Sequence, residues 1–498
     1  MDRRPIYYLI LIFILTLLFH DEQLGLNLLI AAISFVGFSF FDPSTHKPEL
    51  NWRWYIAASL LIGNATIVFI AHSPLSIGLF FLSFFYFAAI QNNARLSLPI
   101  GIMQSIISFF LGFYWSIASL VNRLNQKQNG KQYQAIIRIL MYLIPLIVGI
   151  IFLKLYQNAD DTFREWTRFI RLDWISWSFI GFYVLLLFLV FGFYYIKGSP
   201  MLERTEYRLK NDILTTYTDR IQDFLTLKNE RQIAKSLLIT LIALLLIYNA
   251  VDIRFIWVEL LDPAVELSYS EIVHGGINSL ITSIVLVILI ITFLFRGGLN
   301  FENNRGIKIL TLIWLSLNVL MVSTTIIKNH AYISELGLTY KRIGVYIYLI
   351  LALGGLILTF IKVLQIKSFW FLLRSGSLLF LLTLTVVGAI SWNKIIAQHN
   401  LNLESNTIDL EYIFDLGPDT YPLLLDYYAA NHSTEQENLD FWQKVTRNFD
   451  YVKYDLERDQ EIYTWKSFNI RDYLLLQKMN TYHIINSENK DSYEMDYR

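Results

Sequence analysis

The chain has 498 residues, 55% of them hydrophobic and only 16% charged, with 41 basic residues balancing 41 acidic ones. A soluble domain carries roughly a quarter charged residues, so this deficit excludes an ordinary soluble globule, and the zero net charge gives no basic surface for nucleic acid. There is no cysteine, which removes disulfides, iron–sulfur ligation and thiol chemistry and leaves the compartment open.

Apolar runs fall near 5–20, 25–41, 54–72, 75–92, 97–121, 137–156, 175–196, 234–256, 272–296, 307–327, 344–364 and 370–392. Most approach the roughly twenty residues that cross a bilayer core. They predict an all-α, polytopic transmembrane helix bundle of about twelve spans over residues 1–392. The first run follows Met1-Asp-Arg-Arg as a signal peptide would. No small-residue cleavage site follows it and His20-Asp21-Glu22 ends it, so it reads as a retained helix. Pro145 in the sixth run and Gly354-Gly355 in the eleventh fit either kinks and close packing or broken helices at a transport site.

Two connections carry patterns of their own. From Asp160 to Trp174, Phe163, Trp166, Phe169, Ile170 and Trp174 recur at helical spacing with Arg164, Arg168 and Arg171 between them. That predicts a helix lying in the membrane interface, aromatic side down. From Lys197 to Lys235, Leu209, Ile213, Tyr217, Ile221, Phe224 and Leu225 predict a helical excursion packed on the bundle. Lysine and arginine crowd 122–136 and 197–235, whereas Glu259, Asp262, Glu266 and Glu271 fill a later connection with no basic residue. The basic connections therefore face the cytoplasm and the C-terminal segment lies outside. The same count places Arg3 and Arg4 outside, against the rule.

Residues 328–343 read as a polar hinge between two spans, with Asn329 and His330 closing one run and Gly337 supplying the turn. Tyr332, Tyr340 and Tyr346 suit a membrane–water boundary. After Trp392 the composition turns polar, acidic and rich in tyrosine. Residues 393–498 predict a small, mostly helical C-terminal extension docked on the bundle. Its helices are expected at Asp409–Leu416, stopped by Gly417-Pro418, then around Glu435–Asn448 and Ile470–Lys478, with Asp419 capping the helix that resumes after the stop.

No two histidines stand at the spacing that gives one helix face two metal ligands, and no phosphate-binding loop, nucleotide fingerprint or serine elbow occurs. No metal or cofactor is expected. Polar residues within the runs include Asn64, Gln104, Asn249, Asp252, Arg254, His274, Asn278, Asn318 and Arg374, and each is either a satisfied interhelical partner or a functional group. Asp252 and Arg254 face different sides of one helix and pair poorly within it. His274 opens the ninth run beside Gly275-Gly276, where a helix N-terminus could hold an anion. Lys341 and Arg342 on the hinge and Asp409, Glu411, Asp415 and Asp419 on the tail lie on one side of the membrane. They either pair and hold the tail down, or the cations meet anionic headgroups.

Five stretches occur in the order of a known family: Leu267-Ser-Tyr-Ser-Glu271, Gly337-Leu-Thr-Tyr-Lys-Arg-Ile-Gly344, Trp392-Asn393, Asp409-Leu-Glu-Tyr-Ile413 with Leu416, and Trp465-Lys-Ser-Phe-Asn-Ile470. In these the chain resembles the bacterial polytopic membrane proteins of domain of unknown function 4153/4173, from about the fifth span to near the C-terminus. Where many members continue with paired arginines, this chain has Val273-His274-Gly275-Gly276. The resemblance implies architecture alone. With the many lysines, asparagines, isoleucines and tyrosines, it points to a bacterial inner membrane. The leading expectation is a non-enzymatic envelope sensor or scaffold whose partners are the lipid bilayer, anionic lipids or envelope proteins. The alternative is a secondary transporter with a midplane site near Asn318 and Gly354-Gly355.

Overall fold

The structure, a computed structural model, describes residues 4–41, 51–93, 95–126, 131–167, 177–194, 200–213, 227–256, 269–301, 304–403, 408–431 and 439–482. Every regular element among them is helical, apart from one antiparallel bridge between Asp212 and Lys367. The chain folds as two compact units. One takes in Met1–Ile62, Leu82–Leu96 and Ile100–Glu203, and the other Gly63–Phe81, Ser97–Pro99 and Arg204–Arg498.

In chain order the first half supplies α1 (Arg4–Phe19), α2 (Leu26–Phe41), α3 (Trp52–Ala71), α4 (Pro74–Asn92), α5 (Leu98–Gln126), α6 (Lys131–Ala159), α7 (Asp161–Trp166) and α8 (Trp177–Tyr194). The core of the first unit is aromatic. Phe193 of α8 packs on Phe35 of α2 and Phe84 of α4, with ring centroids 4.7 and 5.2 Å away. The backbones of α5 and α8 touch at Gly112 and Gly192. A Cβ on Gly192 would lie 2.6 Å from the Cα of Phe109, so only glycine permits this approach. Trp54 Nε1 donates to Gln91 Oε1 at 2.9 Å, satisfying two buried polar groups at once.

The second half supplies α9 (Pro200–Arg208), α10 (Leu227–Phe255), α11 (Tyr269–Leu294), α12 (Arg305–Leu336), α13 (Tyr340–Gln365) and α14 (Phe369–Gly388). Ala234 and Leu238 of α10, Ile291 of α11, Trp314 of α12 and Leu356 of α13 meet in one apolar core. The opposite face of α10 is consistent with a helix of an integral membrane protein. Leu244, Ile247 and Val251, at helical spacing, are 60%, 65% and 62% exposed. Water would make that stripe a liability, whereas lipid matches it.

All twelve expected spans fall on helices. Among the described residues, six helices are long and apolar enough to cross a membrane: α3, α4, α10, α12, α13 and α14. Five shorter apolar stretches lie at Ile10–Phe19, Leu26–Ser39, Leu98–Gly112, Gly181–Phe193 and Thr282–Leu294. α6 runs unbroken through Pro145, and α13 through Gly354-Gly355. These positions are not breaks. Gly354 receives Leu379 of α14, whose Cδ2 lies 2.3 Å from where a Cβ would stand.

Elsewhere the elements depart from expectation. α7 is short, capped by Asp160 through the amides of Thr162 and Phe163, with Trp166 81% exposed; Phe169, Ile170 and Trp174 lie outside the described residues. The connection before α10 is not one helical face. α9 stops at Arg208, so Leu209 and Ile213 follow it outside any helix, in a segment that bends at Leu209 and Asn211. Ile213 N donates to Ile366 O (3.2 Å), and Ser368 N to Asn211 O (2.7 Å). Tyr217 through Leu225 lie outside the described residues.

The tail supplies α15 (Trp392–Leu401), α16 (Leu410–Asp415), α17 (Tyr421–Asn431), α18 (Leu439–Ile462) and α19 (Ile470–Met479), and belongs to the second unit. It has a core of its own, in which Phe414, Leu424, Trp442, Val445, Phe449 and Met479 are buried. Gly417, at φ +100°, makes the stop after α16. Asp419 sits inside the following 3₁₀ turn, and its carboxylate binds Arg471 at 2.9 Å rather than capping α17.

Candidate functional site at the bundle–tail junction

The expected hinge at 328–343 is mostly helix. Asn329 and His330 lie within α12, and three residues, Gly337-Leu338-Thr339, make the whole turn. Polar ends lengthen these helices because each finds a partner. Asn329 Nδ2 donates to Arg342 O (3.3 Å), and Thr339 Oγ1 caps α13 by accepting from Arg342 N (3.4 Å). Gly337 closes α12 at φ +81°, a backbone that side chains resist.

This turn is where the tail seats. Asn400 of α15 accepts from Leu338 N at 2.6 Å and donates to Leu338 O at 2.9 Å. One amide side chain thus satisfies both backbone groups of a turn residue, as a paired strand would. Tyr412 of α16 accepts from Tyr340 N at 3.1 Å, and the Tyr340 hydroxyl donates to Asn393 Oδ1. Asn393 Nδ2 in turn donates to Leu416 O (2.7 Å), tying α15 to α16. A second contact forms at the end of α3. Phe69 and Phe468 are 6.0 Å apart, and His72, at φ +43°, feels the charges of Asp472 and Arg471 on α19. Burial holds the His72 imidazole below its ordinary pKa; Asp472 opposes that and Arg471 reinforces it.

The hinge and the acidic helix do meet, but not through the expected ion pair. Arg342 turns back on its own loop, donating to Leu336 O (2.7 Å) and Gly337 O and lying 4.1 Å above the ring of Tyr332. Those carbonyls are the orphans of the α12 terminus and sit closer than any carboxylate. Lys341 is exposed. The acidic residues have other work: Asp409 caps α16 through Tyr412 N (2.9 Å), Glu411 pairs with Lys444 (3.2 Å), and Asp415 is exposed at the end of α16.

The remaining candidates disperse. Asn318 is buried and donates to Trp314 O within its own helix at 2.8 Å. His274 is not at a helix start: α11 begins at Tyr269, so the unpaired amides of its first turn precede it. Its side chain lies outside the described residues, as does that of Asn278. Asp252 pairs across helices, with Lys328 of α12 at 2.6 Å and Thr324 Oγ1 at 3.0 Å. Arg374 pairs with Glu206 at 2.7 Å, and Ser97 donates to the same carboxylate at 2.7 Å.

The family described as Domain of unknown function (DUF4153) matches residues 8–427. The chain belongs to that family. Neither a curated protein nor a solved structure matches it. The DUF4153 match begins well before the fifth span, where the sequence resemblance was expected to start. It contains the turn, Asn393, Asn400 and Tyr412, and it ends in α17, before Trp465–Ile470. Sequence reasoning passed over Asn400, Lys328, Glu206 and Lys362. A lysine four residues inside a helix end reads as a snorkelling side chain. The signal that could have found Lys328 is its pairing with Asp252, which requires α10 and α12 to be neighbours.

Proposed function

We propose that this DUF4153 protein is a non-enzymatic, multi-pass sensor or scaffold of the bacterial inner membrane, with the tail from Asn393 onward as a small helical module clamped to the bundle. The observation that carries this reading is the double hydrogen bond from Asn400 to the Leu338 backbone. It joins a module with its own core to a three-residue turn between two membrane helices, so displacement of α12 or α13 is felt by the tail.

The wider architecture follows the same proposal. The twelve apolar helices α1–α6, α8 and α10–α14 all cross the bilayer, with the tail outside the cytoplasm. Supporting this, hydrogen bonds gather residues 206–213, 295–300 and 362–370 at one end of the second unit. Residues 337–340 and 393–412 gather at the other. That alternation is what successive spans produce.

The test uses the full-length chain carrying Asn400→Ala with Tyr412→Phe. It should insert at wild-type level, lose protection of the tail from protease, and fail to restore a strain deleted for the protein. Full restoration by the undocked chain would remove the coupling reading. Orientation is read separately. Because the chain has no cysteine, a single cysteine at Asn431 should react with an impermeant maleimide in intact spheroplasts. Labelling only after lysis reverses the orientation.

A further inference from the structure

α13 begins at the tail junction and ends, 26 residues later, at a cavity of about 570 Å³. The cavity is bounded by α9 and the non-helical segment after it, by the ends of α11 and α13, and by the start of α14. Most of its surface is apolar, from Leu209, Ile213, Phe295 and Phe369, and charged side chains are set into it. Four cations line it, Arg208, Lys210, Arg296 and Lys362, against one carboxylate, Asp212, which is held by Lys367 at 2.7 Å.

These cations differ from their neighbour Arg374, which Glu206 neutralises. Among the described residues, none of the four has a carboxylate within ion-pair distance. Lys362 is 1% exposed, and its ammonium makes one hydrogen bond, to Phe295 O at 3.1 Å. An ammonium carries three donors, and a buried cation without a counter-ion is expensive. Two further residues of the lining each carry a buried polar atom without a partner, Trp370 at Nε1 and Thr292 at Oγ1. An indole N–H can only donate. The N-terminus of the 20-residue α14 opens here as well, with its positive dipole end.

Spare donors, a buried ammonium and guanidinium groups without a carboxylate partner, Arg296 lying over the ring of Phe293 at 4.0 Å, specify an anion. Arginine and lysine together on one small cavity favour the multiple oxygens of phosphate over a single carboxylate. Free phosphate would leave most of the volume empty, since the cavity lies in the size range of organic-ligand sites. The apolar faces of Phe295 and Phe369 line the rest. We propose that this cavity binds the phosphate group of an organic phosphate monoester, with Lys362 as the central contact and Arg296 and Arg208 at its mouth.

Two sources share that chemistry, a lipid headgroup and a soluble metabolite, and they are separated by the measurement. Full-length protein in phosphatidylcholine nanodiscs is titrated with glycerol 3-phosphate in one arm. In the other arm phosphatidic acid replaces part of the lipid. Thermal unfolding and native mass spectrometry report binding in both. Binding that is present in one arm and weakens as salt rises names the source. Lys362→Met should weaken it about tenfold or more, and Lys362→Arg should weaken it less. Should Lys362→Met not fold, Arg296→Gln with Arg208→Gln changes only exposed side chains. That pair should lower affinity about tenfold while leaving ligand-free unfolding unchanged. No binding in either arm, or binding that survives the arginine pair undiminished, overturns the proposal.

Discussion

Gly337 carries two demands at once. Its φ of +81° suits glycine, and a Cβ would stand 2.8 Å from Asn400 Oδ1. Gly337→Ala therefore costs about 1 kcal/mol for the backbone and about 1 kcal/mol for each of the two hydrogen bonds that Asn400 releases as it moves. Thermal unfolding of the purified chain should show this loss, together with faster proteolysis of the tail. Gly344→Ala is the control: Gly344 lies inside α13 with open space around it, so alanine should be neutral or slightly stabilising. Lys328 makes a second demand. Its pair with Asp252 is buried, with side chains 19% and 7% exposed. Lys328→Met leaves a carboxylate stranded and should cost about 3–5 kcal/mol. Adding Asp252→Asn to the same chain should recover much of that in the same melts. A double variant no more stable than the single one would show that the pair is not what stabilises this site.

At the scale of elements, the helices were legible because bilayer thickness sets the length of an apolar run, and composition reports that length directly. Their ends were not. The run that looks finished at Ile327 continues to Leu336, since Lys328 and Asn329 turn inward to Asp252 and to Arg342 O. Whether a polar residue ends a helix or bonds to a neighbour depends on the neighbour, which hydropathy does not contain. Glycines were equally ambiguous. Gly354 and Gly192 look alike in sequence, yet one accepts a leucine side chain and the other a backbone. That difference is testable. Gly192→Leu drives α8 away from α5, because the Phe109 backbone cannot move aside as a side chain can, and overpacking of this kind costs about 1–3 kcal/mol. Gly181→Leu, on the same helix with nothing nearby, should leave the melt unchanged.

For the molecule as a whole, the polar turn and the polar helices after Trp392 were readable from composition, and the structure brings them together. The chemistry of that meeting was not. Opposite charges suggested ion pairs, but an exposed pair is worth only about 0–1 kcal/mol, and a turn's backbone groups leave no mark in sequence. The second contact, at His72, gives a whole-molecule prediction. Burial holds the folded His72 below the ordinary imidazole value, with Asp472 opposing and Arg471 reinforcing that effect. Above about pH 6.5 the side chain is neutral folded or unfolded, and the contact carries no protonation cost. As pH falls below that value the undocked state takes up the proton more readily than the docked one, so stability is lost until the folded pKa is passed. Asp450 acts in the opposite sense, its carboxyl raised by burial and lowered by Lys453. A window from pH 8 to pH 5.5 spans the ordinary imidazole value. Amide exchange across α19 should accelerate, relative to the intrinsic rate, as pH falls through that window. In His72→Gln the relative rate should stay flat. Protection that rises on acidification, or falls equally in both chains, would show that His72 does not govern how the tail is held.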